Sequence, residues 1–170
     1  MKNIYLVALI FITPLLLGAG CQLSQNIVTN SANVSNTTTP NSPAVTSGES
    51  LNLSNQNLTA LPSYVLNRTD LEELNISNNS LTGALPAEIR KLQNLEILNA
   101  SYNNMTGVPA EVGQLTKLRI LDLSYNQLTG LPNEIGNLKQ LQKLILTGNN
   151  PSEQDLQVII QALPNLEIIN

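Results

Sequence analysis

Residues 118–128 read Leu118-Arg119-Ile120-Leu121-Asp122-Leu123-Ser124-Tyr125-Asn126-Gln127-Leu128. The same frame occurs upstream as Leu71, Leu74, Ile76, Asn79 and Leu81, and again as Leu95, Leu98, Ala100, Asn103 and Met105. Apolar residues at alternate positions, as in Leu121 and Leu123, or Leu51 and Leu53, mark a short strand with one buried face. The asparagine that follows stands where the chain leaves the strand, and an amide there can satisfy backbone groups of its own turn and of the adjacent one. Asn79, Asn103, Asn126 and Asn149 form this row, which reads as a structural ladder. Working outward, Leu71, Leu95, Leu118, Leu141 and Leu166 open successive units spaced 24, 23, 23 and 25 residues apart. A fixed period of this length predicts stacked units, each burying its apolar side on its neighbours, with their strands joined in one parallel sheet.

The second half of each unit returns the chain. In Leu131-Pro132-Asn133-Glu134-Ile135-Gly136-Asn137-Leu138, the proline fixes the start and Ile135 and Leu138 fall at helical spacing, predicting a helix or 3₁₀ turn on the outer side. Together, LxxLxLxxNxL and LPxEIGxL resemble the leucine-rich-repeat family over residues 48–170, in the short-repeat type of bacterial and plant proteins and of Ras-pathway scaffolds. Leu81-Thr82-Gly83-Ala84-Leu85-Pro86, with one inserted residue, is similar to the LxGxLP of plant receptor ectodomains. The resemblance implies an α/β fold: a right-handed solenoid, a segment of a horseshoe, with a concave parallel sheet. It also implies recognition of a protein or peptide by that concave face, without catalysis or a cofactor.

A solenoid needs caps where its core would meet water. At the C-terminal end Ser152 and Asp155 make a helix-start signal, and Leu156, Ile159, Ile160 and Leu163 form an i, i+3, i+4, i+7 stripe on a capping helix over about 153–162, before a last strand at Leu166–Ile169. At the other end Gly48 and Arg68 replace periodic leucines and Gln56 replaces the ladder asparagine, so the first unit is a degenerate cap.

Counting from the leucines gives the solvent-facing rows. One is Ser50, Glu73, Ile97, Ile120, Lys143 and Ile168; the next is Asn52, Asn75, Asn99, Asp122, Ile145 and Asn170; a third, just past the strands, is Asn55, Asn78, Tyr102, Tyr125 and Gly148. Ile97, Ile120 and Ile145 beside Tyr102 and Tyr125 make an apolar patch on a face expected to be polar, which is the composition of an interface hot spot. The candidate binding residues are therefore Glu73, Ile97, Asn99, Tyr102, Ile120, Asp122, Tyr125, Lys143 and Ile145. Glu49, Glu72, Glu73 and Glu96 precede Arg119 and Lys143, a polarity that would orient a partner. The alternative is a solvated face on which Ser-Tyr-Asn is ordinary repeat filler.

Composition narrows the chemistry. The chain is 170 residues long with a formal net charge of −4, so one domain is expected and nucleic acid, which requires a basic patch, is not an expected partner. Histidine is absent and Cys21 is the lone cysteine, which removes a histidine base, a Cys/His zinc site and a disulfide framework. Aromatics make up only 3%, so the core must be aliphatic.

The N-terminus reads as an address. Met1-Lys2-Asn3 gives a positive start, Ile4–Leu17 an apolar run shorter than the ~20 residues needed to span a bilayer, and Gly18-Ala19-Gly20-Cys21 a small-residue cleavage site. The end resembles a bacterial lipobox, with Gly18 where leucine is usual. That resemblance implies a signal peptide over 1–20 and a diacylglycerol anchor on Cys21, attaching the exported protein to a membrane at the cell surface or envelope. Ordinary secretion with a free thiol is the alternative. Residues 21–47 carry that cysteine and a linker rich in Ser, Thr and Asn, too poor in apolar groups to fold; its ~26 residues would span roughly 28 Å. The sequons at Asn33, Asn36, Asn57, Asn67 and Asn104 read as products of composition. The expected protein is a monomeric recognition module; a self-associating envelope component is one alternative, and a cytoplasmic scaffold another if the signal is misread.

Overall fold

The computed structural model describes residues 48–170. The expected signal peptide over 1–20 and the expected lipidated Cys21 and linker over 21–47 lie outside the described residues. From β1 (Glu49–Asn52) the chain runs through β2 (Leu71–Asn75), β3 (Thr82–Gly83), β4 (Ile97–Asn99), β5 (Asn104–Met105), β6 (Ile120–Asp122) and β7 (Lys143–Ile145) to helix α1 (Glu153–Ala162) and β8 (Glu167–Ile169). Six of these strands form one parallel sheet in the order β1-β2-β4-β6-β7-β8, so each unit adds its strand beside the one before. β3 and β5 pair separately at the flank, where the inserted residue lets Gly83 adopt φ +68°.

Between strands, the outer side is built of 3₁₀ turns at Ser63–Asn67, Ala87–Lys91, Ala110–Gln114 and Asn133–Asn137. Each follows a proline (Pro62, Pro86, Pro109, Pro132) held at φ between −61° and −71° with extended ψ. Proline suits that place because its ring fixes the turn-in and its missing N–H would have no intrahelical acceptor. Val65, Ile89, Val112 and Ile135 point inward from these turns and are fully buried. They meet Leu74, Leu98, Leu121 and Leu144 coming from the strands, also fully buried. Each such leucine contributes roughly 2 kcal/mol of burial. The core is thus a continuous aliphatic column, thinning at β1, where Leu51 and Leu53 are only half-buried.

The asparagine row forms the expected ladder, and the ladder has a direction. Asn103 Nδ2 donates to the Ala100 and Ser101 carbonyls of its own turn and to the Ile76 carbonyl of the preceding unit, while its Oδ1 accepts from Leu81 N–H of that preceding unit. Asn126 repeats this with the Ala100 carbonyl and Met105 N–H. Asn149 does so with the Leu123 carbonyl and Leu128 N–H. Asn79 holds the first unit through Leu53, Gln56 and Leu58.

Two expectations are corrected. Register follows the leucine frame as far as β7, with Glu73, Ile97, Ile120 and Lys143 in one row. In β8, however, Glu167 and not Ile168 pairs with Lys143, and Ile169 and not Asn170 pairs with Ile145. The cause is that Leu166-Glu167-Ile168 is one residue shorter than the earlier Leu-x-x-Leu, so Ile168 falls beside the core residue Leu144 and Ile169 turns outward. The second correction concerns α1. Ile159 and Leu163 are buried and Leu156 is half-buried, but Ile160 is 43% exposed. The helix meets the preceding 3₁₀ turn along a narrow line through Ile159 and Ala162; a Cβ on Gly136 would stand 2.8 Å from Ala162 Cβ. Ile160 sits on the flank of that line. The start signal works as read: Ser152 Oγ accepts from Asp155 N–H at 3.2 Å. Asp155 Oδ2 in turn accepts from Leu131 N–H at 3.0 Å, doing for the last unit what the asparagines do for the others.

Candidate binding face

The outward strand positions form two adjoining rows. The first holds Ser50, Glu73, Ile97, Ile120, Lys143 and Glu167. The second holds Asn52, Asn75, Asn99, Asp122, Ile145 and Ile169. Ile97, Ile120 and Ile145 are half-buried on this face, and Ile169, which reading by the leucine frame misses, extends the apolar run to β8.

Asn75, Asn99 and Asp122 are engaged locally. The Oδ1 of each accepts the backbone N–H two residues on, at 3.0 Å, closing an Asx turn as the strand ends. Ser101 and Ser124 hydroxyls donate to Asn99 and Asp122 at 2.7 Å. Asn99 and Asp122 therefore shape the rim of the face as well as lining it.

The residue three places past each second-row position is left-handed, after the Asx turns and after Ile145 alike: Asn55, Asn78, Tyr102, Tyr125 and Gly148 have φ of 59°, 53°, 52°, 52° and 77°. Glycine and asparagine tolerate this region, whereas a bulky ring there is uncommon and strained. Tyr102 and Tyr125 nonetheless occupy two successive units. Their rings stack with centroids 4.3 Å apart and planes 17° off parallel, while 50% and 47% of each residue stays exposed. Gly148 makes room for the stack, since a Cβ there would lie 2.8 Å from Tyr125 Cδ1. The Tyr102 phenol is held above its ordinary value of 10.0, first by partial desolvation, then by Tyr125 and Asp122.

Ion pairs occur along the length of the sheet. Arg119 reaches Glu96 at 3.2 Å and Lys143 reaches Glu167 at 3.3 Å. At the first unit Arg68 binds Asp70 at 2.8 Å and Glu49 at 3.6 Å, keeping the Asp70 carboxyl below its ordinary range. Among the described residues Glu72 and Glu73 have no ion-pair partner. The expected polarity thus survives as unopposed acid at β2, not as acid facing base. Away from this face, a flank hollow of about 230 Å³ beside β3 is walled mainly by Leu61, Leu81, Leu85, Pro86 and Met105, with Thr82 as its one polar side chain. Among the described residues there is no cluster of metal-ligating side chains and no helix long and apolar enough to cross a membrane.

Residues 52–170 match a family model described as a leucine-rich repeat region. Among solved structures, a leucine-rich-repeat protein of Leptospira interrogans is 46% identical, with a TM-score of 0.62, over 66% of this chain and 28% of that one. An internalin, InlF, of Listeria monocytogenes is 31% identical with a TM-score of 0.57, over 65% of this chain and 31% of that one. The ectodomain of the Arabidopsis thaliana receptor kinase GASSHO1/SCHENGEN3, solved with CASPARIAN STRIP INTEGRITY FACTOR 2, is 33% identical with a TM-score of 0.54, over 65% of this chain and 13% of that one. The chain spans less than a third of the length of each. No curated protein sequence matches it.

Proposed function

This chain belongs to the leucine-rich-repeat family, and we propose that it is a non-catalytic recognition module, displayed outside the cytoplasmic membrane on a lipid at Cys21, that binds a protein or peptide on its concave face. The observation that carries the binding reading is the tyrosine pair. Two half-exposed rings are kept in a backbone region that costs non-glycine residues stability, at a place where asparagine serves two earlier units. Strain of this kind persists where a side chain is needed for something other than folding. Binding of a protein or peptide is supported by similar proteins: one is solved as a receptor ectodomain in complex with a named factor, and another is an internalin. Display outside the cell rests on the Met1–Cys21 sequence pattern and on the ectodomain character of the receptor-kinase relative.

Replacing both rings, Tyr102→Asn with Tyr125→Asn, gives the backbone a residue it already accepts at Asn55 and Asn78. The circular dichroism melt is expected to hold its midpoint while crosslinking of a partner from intact cells is lost. A collapse of the melt would instead make the rings part of the core. Metabolic labelling with a fatty-acid analogue tests the anchor: the native chain takes up label and fractionates with membranes, and Cys21→Ser does neither. An unlabelled native chain in the medium would replace anchoring by plain secretion.

A further inference from the structure

The concave face is divided into two halves of different chemistry. Towards β1 and β2 it presents Ser50, Asn52, Glu73 and Asn75, with Glu72 at the rim; its carboxylate lies where a side chain on Gly48 would stand. Towards β6, β7 and β8 it presents Ile120, Ile145 and Ile169 beside the stacked tyrosines, with Asp122 and the Lys143–Glu167 pair among them. Because Arg119 and Lys143 are neutralised by Glu96 and Glu167, the acid left without an ion-pair partner on the face is the adjacent Glu72 and Glu73 in the first half and the single Asp122 in the second, whose Oδ1 already accepts from Ser124 N–H and Oγ. The amide nitrogens of Asn75, at the inner edge of the first half, and of Asn99 on β4 next to it donate to no group among the described residues, whereas their oxygens are held by the turns.

We infer that the occupant of this face is an extended peptide segment crossing the strands, with a basic side chain at Glu72 and Glu73 and an aliphatic or aromatic side chain on the Ile120–Ile145–Tyr125 surface. The inference rests on the concave-face reading above and adds the chemistry and spacing of the ligand. Charge complementarity sets the basic end, since a cation is the group that an unopposed carboxylate pair attracts and a second anion is repelled. Apolar contact with exposed rings and isoleucines sets the other end. The Asn75 and Asn99 amides supply donors to main-chain carbonyls between them. From β2 to β7 there are three strand steps, about 14 Å at ~4.8 Å each, which an extended chain covers in about four residues. The basic and apolar residues of the ligand therefore stand three to five positions apart, by that ~4-residue reach.

Selection of a displayed random peptide library on the full chain tests this, with parallel selections on Glu72→Gln/Glu73→Gln and on Tyr102→Asn/Tyr125→Asn. The expected result is enrichment of peptides with Lys or Arg at that spacing from Ile, Leu, Phe, Tyr or Trp. A synthetic consensus peptide should bind about three- to tenfold more weakly to the glutamine variant and lose most of its salt dependence there. It should not bind the asparagine variant. Peptides that need the tyrosines but show no basic preference and ignore the glutamine changes overturn the inference and leave the concave-face reading standing. Peptides indifferent to both variants overturn both. Failure to enrich any peptide overturns the inference; accompanied by a concentration-dependent mass in solution scattering, it assigns the face to a second copy of the chain.

Discussion

Asn103 illustrates how much one side chain can do in this architecture: buried, it serves three carbonyls and one N–H drawn from two units. Removing it leaves several of those backbone groups without water or a partner. Asn103→Ala should therefore destabilise the fold by about 2–4 kcal/mol in urea unfolding, above the cost of an ordinary hydrogen-bond deletion. Asn79→Ala, at a half-exposed turn, should cost less, because solvent can replace the lost amide. This ladder was legible in the sequence because one residue type repeats at one position. The strained tyrosines were legible only as an exposed aromatic pair. Nothing in a tyrosine signals positive φ, and the signal lay instead in the column it shares with Asn55, Asn78 and Gly148, residues that accept the left-handed region.

At the level of elements, the short units cannot hold α-helices, and the prolines before each return segment produce 3₁₀ turns of five residues. Helix α1 is different because its unit is the longest and its Ser152 cap starts a full helix. Its two central isoleucines make opposite predictions. Ile159→Ala, emptying a fully buried site, should cost about 2–4 kcal/mol. Ile160→Ala, at a flank position, should change the unfolding midpoint little. The sequence stripe could not separate them, since an i, i+4 pattern names a face but not how wide a surface it meets. The β8 register failed for a related reason: counting from Leu166 assumes every unit has the same length between its opening leucine and its strand, and this unit is one residue short. That single residue decides whether Ile169 belongs to the core or to the binding face.

Taken whole, residues 48–170 have no contact between distant units to tie the ends together; each strand pairs only with strands of adjacent units. Stability in such a stack is a sum of unit and nearest-neighbour contributions, so protection should be graded. Hydrogen exchange is expected to be fastest in β1, where Leu51 and Leu53 are half-buried, and slowest in β4 and β6, around Leu98 and Leu121. Uniform protection across the sheet would mean a single cooperative block instead. The periodic leucines made this architecture readable from the chain alone, while the electrostatics of the face were not, because pairing of Arg119 and Lys143 depends on which neighbours the register supplies. The direction of the asparagine ladder carries a consequence for how the protein comes into being. Every amide reaches back to the unit before it, and Asp155 does the same at the end. On a ribosome the newest unit is therefore always unlatched until its successor emerges, and growth proceeds as a one-way ratchet from N- to C-terminus. A chain cut short at its C-terminal end loses a latch, whereas one trimmed at its first unit loses only something that was being held.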